Sequence, residues 1–470
     1  MKFLVNTHIH ILRNEVDAGL LKRLKRELTF DNPEYLNRVR LGKSTWSVPE
    51  KIEAFRITGE ELIIPRGCSR IVREIFGTVE YVDCRSGGVP LQALPNLPFK
   101  LRDYQEEAAC LMKRKHQGVV IVPCGGGKTV IAVEAIRRLG TTTIIMVHTL
   151  DLLSQWKEVL KTAGIEAGEI GNGKFEVKPV TIATVQTLSK MLNKLKKEWF
   201  EQWGCLILDE SHRSPCKTFY RVINNFPAQY RFGLTATPER EDGLTPLLYF
   251  LFGDPIFEID RKTLVAKGYL TAVAVQPVFT AFNYPYYGPD DRNAMLDTLV
   301  NDIDRNLHIV AEVAGTVESG HTCLVLTGRV EHAELLTAKI QRLGIRAEAL
   351  LGKVKKPERD IIRKRMIEGE LKVIVATSVA DEGLDLPNLS AVFFTFPSKA
   401  LARILQRSGR VMRPLPGKTE PIIYDYVDVN IRTLKQKYYQ RRQAYHQLRA
   451  TILEPKTVED GFNRVHYILD

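Results

Sequence analysis

The chain has 470 residues, 44% of them apolar and 26% charged, and 67 Lys and Arg against 55 Asp and Glu give a net charge of +12. That length allows about three domains, and the composition is that of an ordinary globular protein, not of a disordered or fibrous one. No apolar run is long enough to span a bilayer, and Met1-Lys-Phe-Leu does not open a signal peptide. Seven cysteines, at 68, 84, 110, 124, 205, 216 and 323, include no Cys-x-x-Cys pair. This argues against a zinc ribbon, an iron–sulfur cluster or a disulfide scaffold. It predicts reduced thiols and a cytoplasmic protein of a bacterial or phage-infected cell, nuclear if eukaryotic. The excess of positive charge predicts a polyanionic partner such as nucleic acid, with a merely solvated basic surface as the plain alternative.

Residues 1–95 read as one small α+β unit. Phe3, Val5, Ile9 and Ile11 alternate with Lys2, Asn6, His8 and His10, the pattern of a half-buried strand. His8 and His10 share its polar face, but no third ligand suggests a metal site. Asp17 caps a helix that turns Leu20, Leu21, Leu24 and Leu28 inward and Lys22, Arg23, Lys25 and Arg26 outward. Phe55-Arg-Ile57 and Leu62-Ile-Ile64, joined by Thr-Gly-Glu-Glu, read as a hairpin. Gly87-Gly-Val-Pro through Pro98 reads as a linker.

Beyond the linker, strands and helices alternate, which predicts doubly wound parallel sheets. Strands are expected at 119–122, 144–147, 180–183, 205–208 and 232–234, with a helix at 151–162 among the connections. A second series is expected at 323–326, 347–350, 373–376, 391–394 and 422–424. A helix from about 431 to 453 closes the chain, with Arg432, Lys435, Lys437, Arg441, Arg442 and Arg449 interleaved with Tyr438, Tyr439 and Tyr445. The boundaries expected are 1–95, 96–262, 263–430 and 431–470.

The chemistry begins at Val119-Val-Ile-Val-Pro-Cys-Gly-Gly-Gly-Lys-Thr129, a strand, a glycine turn and a helix start. Such a turn aims backbone N–H groups at an anion. Gly125, Gly126 and Gly127 would cradle phosphates, Lys128 would reach the β- and γ-phosphates, and the Thr129 hydroxyl would bind Mg²⁺. Val122 stands where the full pattern has its first glycine. Cys205-Leu-Ile-Leu-Asp-Glu-Ser-His212 is an apolar strand ending in two acids. Ligands bind at the carboxyl ends of such strands. Asp209 would therefore hold Mg²⁺, and Glu210 would orient or deprotonate the attacking water. In Gln406-Arg-Ser-Gly-Arg-Val-Met-Arg413, Arg410 and Arg413 share a helical face and suit the charge that builds on a transferred phosphoryl group.

With their spacing, these three elements closely resemble the superfamily 2 helicases and translocases over residues 98–430. Leu101-Arg102-Asp-Tyr-Gln105 matches the adenine-reading segment, and Val147 to Trp156, Ala183 to Thr187 and Leu234-Thr-Ala-Thr-Pro238 match motifs Ia, Ib and III. Leu324 to Arg329 looks like motif IV, and Ala376 to Pro387 matches motif V. The resemblance implies an α/β chain with two RecA-like doubly wound parallel-sheet domains, a small N-terminal α+β domain and a C-terminal helix. It implies ATP and Mg²⁺ as cofactors, with ATP touched by Arg102, Gln105, Gly383 and Asp385 besides the glycine loop. Gln406 would help sense the γ-phosphate. Thr149, Thr184, Gln186, Arg329 and Thr377 would contact a single strand of DNA. Motif VI opens on Gln406, not the His of DEAD-box proteins. Asp-Glu-Ser-His, Leu-Thr-Ala-Thr and Arg240-Glu-Asp242 look like the XPB branch, and a small domain ahead of the motor is shared with XPB and UvsW-type phage helicases.

The expected protein is a monomeric DNA helicase or translocase, moving 3′ to 5′ on branched or damaged duplex. Residues 1–95 would read DNA structure or merely buttress the motor. Two other readings fit the same motifs: the motor subunit of a restriction or defence complex, translocating duplex without unwinding it, and an ATP-switched remodeller.

Overall fold

Nearly every expected strand forms, because each is a run of apolar, mostly β-branched residues that both faces of a parallel sheet can bury. The computed structural model describes residues 2–213, 217–239, 242–352, 354, 356–377, 386, 388–397, 420–447 and 450–457. They fall into two units, Met1–Pro123 with Gly127–Ile259, and Cys124–Gly126 with the residues from Asp260 on.

The first unit is built on an eight-stranded sheet. Its order is Lys174–Glu176, Ala167–Gly171, Val180–Thr184, Thr143–Val147, Cys205–Leu208, Tyr230–Thr235, Gln117–Ile121 and Pro255–Glu258. All neighbours are parallel except the outermost Lys174–Glu176. The strand read at 119–122 therefore runs from Gln117 to Ile121, and the helix read at 151–162 runs from Leu150 to Thr162. The second unit holds Ala347–Leu350, Val373–Thr377, Cys323–Thr327, Ala391–Phe394, Ile422–Asp428, Ala274–Thr280 and Thr451–Ile452, in that order and all parallel. Both are sheets of the RecA-like kind.

The N-terminal residues differ from the sequence reading in two ways. The single strand expected over residues 3–11 is a hairpin, Lys2–Val5 against His8–Leu12, with Leu4 opposite His10. Asn6 Oδ1 accepts the His8 N–H at 3.0 Å and closes the turn. A two-residue loop preserves parity, so Phe3, Ile9 and Ile11 stay on one face and the alternation runs on unbroken through the turn.

The second difference is the join to the motor. The hydrophobic core of this five-stranded sheet takes in Leu247 and Phe250 from the motor helix Thr245–Phe252. Buried Arg66 donates to Gln117 Oε1 at 2.7 Å, Ala228 O at 2.6 Å and Gln229 O at 2.9 Å. Burial, then neighbouring Arg231 and Arg85, push its pKa well below the ordinary arginine value. The expected linker is docked as well. Leu91 N–H donates to Gly140 O, Thr142 N–H to Val89 O, and a Cβ on Gly88 would lie 2.2 Å from Gly204 N. The glycine here permits backbone-on-backbone contact and does not serve flexibility. Arg66→Ala should orphan these acceptors and cost the first unit about 3 kcal/mol. Urea unfolding, with limited proteolysis to detect early release of the N-terminal segment, checks it.

The C-terminal helix is shorter than expected, Arg432–Gln447, and the residues read as its last turns include the strand Thr451–Ile452. Tyr438 and Tyr445 are buried in the core of the second unit. Arg441 is buried against Asp425, with Nε–Oδ2 3.0 Å and a second guanidinium contact to Oδ1 at 2.7 Å, while Tyr445 O–H donates to Asp425 Oδ2 at 2.6 Å. Arg441 thus faces an aspartate, not solvent.

Candidate active site

Three adjacent parallel strands end side by side. Cys205–Leu208 runs into Asp209 and Glu210, Tyr230–Thr235 carries motif III, and Gln117–Ile121 leads into the glycine loop. The register is set by apolar runs alone: Leu208 opposes Gly233 in one pair, and Thr235 opposes Ile121 in the other. Motifs about 80 and 110 residues apart in the chain thereby share one sheet end, where ligands of such sheets bind.

The loop carries left-handed backbone at Gly125 and Gly127, φ 80° and 84°, a region that favours glycine. Gly127 is the N-cap of helix Lys128–Leu139 and brings no side-chain acceptor. The helix start is thus left for an external anion to satisfy. Lys128 Nζ donates to Val122 O at 3.3 Å, which folds the ammonium back over the loop. Thr129, in the same first turn, is half-buried. Gln105 is buried, accepts the Arg102 N–H at 3.0 Å, and its Nε2 lies 2.4 Å from where a Cβ on Gly127 would sit. Arg102 itself donates to Tyr104 Oη at 3.2 Å.

Asp209 is buried, with Oδ2 accepting from Trp156 Nε1 at 2.9 Å and Oδ1 from Glu210 N–H at 2.9 Å. Burial, then the Glu210 carboxylate, push its pKa up to about 6, against the pull of Lys128. Such a site gains from a bound cation. Among the described residues no group of three or more His, Cys, Asp or Glu could hold a metal. That suits Mg²⁺, which takes one or two protein ligands and completes its shell with water and phosphate. Glu210 has φ 51°, left-handed for a non-glycine residue. Its Oε2 lies 3.4 Å from His212 Nδ1, which lies 3.2 Å from Thr235 Oγ1. Thr235 in turn donates to Thr237 O at 2.8 Å. Trp156, His212 and Thr235 are quoted within motifs, yet spacing alone gave no sign that they hold the two acids in place.

Next along the same sheet end, Val147 opposes Thr184, so Thr149, Thr184 and Gln186 come together. Their polar groups are engaged within the protein. Thr149 Oγ1 accepts the Leu152 N–H at 3.2 Å, Thr184 Oγ1 donates to Thr187 Oγ1 at 2.8 Å, and Gln186 Nε2 donates to His148 O at 2.9 Å. In the second unit Thr327 opposes Thr377, which is buried, and Arg329 pairs with Asp297 at 3.1 Å. Gly383, Asp385, Gln406, Arg410 and Arg413, with Arg240 and Glu241, lie outside the described residues.

Known families match this arrangement. Residues 98–240 match the family model described as Type III restriction enzyme, res subunit, and residues 304–414 match the helicase conserved C-terminal domain. The chain belongs to the superfamily 2 helicases. It is 27% identical over 363 residues to the DNA 3′-5′ translocase XPB2 of Sulfurisphaera tokodaii, covering 68% of this chain and 82% of that protein. It is 29% identical over 364 residues to the DNA 3′-5′ helicase XPB of Mycobacterium tuberculosis, covering 74% of this chain and 64% of that protein. The fold is also that of the ATP-dependent Type ISP restriction-modification enzyme LlaBIII bound to DNA, with TM-score 0.58 and 17% identity over 79% of this chain and 33% of that one.

Proposed function

We propose that the protein is an ATP-driven DNA helicase or translocase moving 3′ to 5′, and that it opens branched or damaged duplex in recombination, replication or repair. The observation that carries this is the convergence of the glycine loop, Asp209–Glu210 and Thr235 on three neighbouring strand ends. Lys128 and the first turn of its helix hold the triphosphate tail, and Gln105, packed on Gly127, sits where an adenine could be read. Mg²⁺, held by Thr129 and Asp209, would neutralise charge on the β- and γ-phosphates. Glu210, steadied by His212 and Thr235, orients the attacking water and takes its proton. Gln406, Arg410 and Arg413, with Gly383 and Asp385, act on the nucleotide as the family resemblance implies. The threonine hydroxyls of motifs Ia and Ib are satisfied internally, so strand contact there falls to backbone groups and exposed Gln186.

The matching Type III restriction family model supports a second reading, translocation of duplex without unwinding. A substrate panel separates the two. ATPase and strand separation are measured on forks, four-way junctions, 3′- and 5′-tailed duplexes and RNA, with triplex displacement in parallel. We expect forks and 3′-tailed duplexes to be opened, with affinity falling steeply as salt rises because counterions are released. Triplex displacement without strand separation would transfer the protein to the restriction-type reading, and ATPase indifferent to every nucleic acid would sink both.

A further inference from the structure

Residues 33–48 are built with care and packed against almost nothing. The helix Pro33–Arg40 buries none of its residues. Short helices in water normally depend on a buried face. Here Leu36, Val39 and Leu41 are each more than half exposed, and Trp46 is 96% exposed.

The segment is nevertheless held. Pro33 starts the helix, Asn32 Oδ1 accepts the Glu34 N–H at 3.1 Å, and Asn32 Nδ2 donates to Pro49 O at 2.8 Å. Arg38 donates to Glu34 Oε1 at 2.8 Å and to Ser44 O at 3.1 Å. Lys43 N–H bonds Arg38 O at 2.9 Å, Val48 N–H bonds Thr45 O at 2.9 Å, and Val48 is buried. The indole therefore stands out on an ordered turn. Large aromatics are usually covered, and one fixed in solvent beside other apolar groups marks a binding surface.

Charge says which partner. Arg40 and Lys43 are exposed beside it, and the stretch 35–49 holds no Asp or Glu. An apolar surface without charge would suit another protein. A flat aromatic flanked by cations suits a base with its phosphates.

We propose that Trp46 stacks on an unpaired base at the branch of a DNA fork, with Arg40 and Lys43 on the adjacent phosphates, so that residues 33–48 are the wedge with which the N-terminal segment recognises a junction. This rests on the DNA-helicase reading above.

The test uses the full-length protein, Trp46→Ala and Trp46→Phe, and forked DNA with 2-aminopurine at the first unpaired position. With the unaltered protein we expect the 2-aminopurine emission to be quenched on binding. Trp46→Ala should abolish the quench and lower the fork-to-single-strand affinity ratio about tenfold, and Trp46→Phe should restore most of both. Unchanged unfolding temperatures confirm that the variants are folded. A ratio and quench unaltered in Trp46→Ala, or equal losses on forks and single strands, overturn the wedge while DNA-stimulated ATPase leaves the motor reading intact. If the unaltered protein ignores DNA altogether, both readings fall.

Discussion

Replacing Lys128 with alanine lowers ATP turnover at least ~100-fold, because a charge-assisted contact to the transferring phosphoryl group is lost. The fold survives. Lys128 occupies the first turn of its helix, alanine is a better helix former there, and the one printed bond lost is a 3.3 Å contact to Val122 O. Phosphate release at saturating ATP and DNA, beside a thermal unfolding curve, measures the two effects separately. Turnover near that of the unaltered protein would remove the basis for reading the glycine loop as the phosphate site.

The second large effect is on stability. Asp425→Ala strips the buried Arg441 guanidinium of its carboxylate and leaves Tyr445 O–H without its acceptor. Breaking a buried pair by removing one partner costs about 3–5 kcal/mol. For a unit of this size that lowers the unfolding temperature by roughly 10 °C. Measured well below that temperature, the salt dependence of DNA binding stays as it was, since Arg441 neutralises an aspartate and not a phosphate. A shallower salt slope in a folded Asp425→Ala protein would reinstate this helix as a nucleic-acid contact.

Arg441 also shows where a sequence stops being informative. Spacing reveals a basic helix with tyrosines between its charges. It does not reveal that an aspartate sixteen residues upstream lies under one of them. The strands were legible because apolar, β-branched runs of four to seven residues admit few alternatives. Ala274–Thr280 was not, since Pro277 argues against a strand inside a sheet. The sheet accommodates it by dividing the neighbour: Thr451–Ile452 pairs with 274–275 and Lys456–Thr457 with 278–279. Opposite the gap, Gln276 Nε2 donates to Glu454 O at 2.7 Å and supplies the bond that the ladder omits. Ala167–Gly171 hid for a related reason, with a glycine at its end and another beside Glu169 suggesting a turn. At the site, the chemistry-bearing residues were legible because glycines, lysine and acids have few other uses at strand ends. Their supports were not, because an indole donating to a carboxylate leaves no periodic trace.

Arg66 grips Gln117 and the carbonyls of Ala228 and Gln229, at the starting ends of the two strands whose far ends lead to the glycine loop and to Thr235. Phe30, just before Pro33, lies 6.2 Å from Phe250 of the motor helix, ring centre to ring centre. A strut anchored at both ends has no backlash. The phosphate loop and the Trp46 turn accordingly share one frame of reference, and the distance advanced in each ATP cycle is also the distance the indole is thrust into the fork.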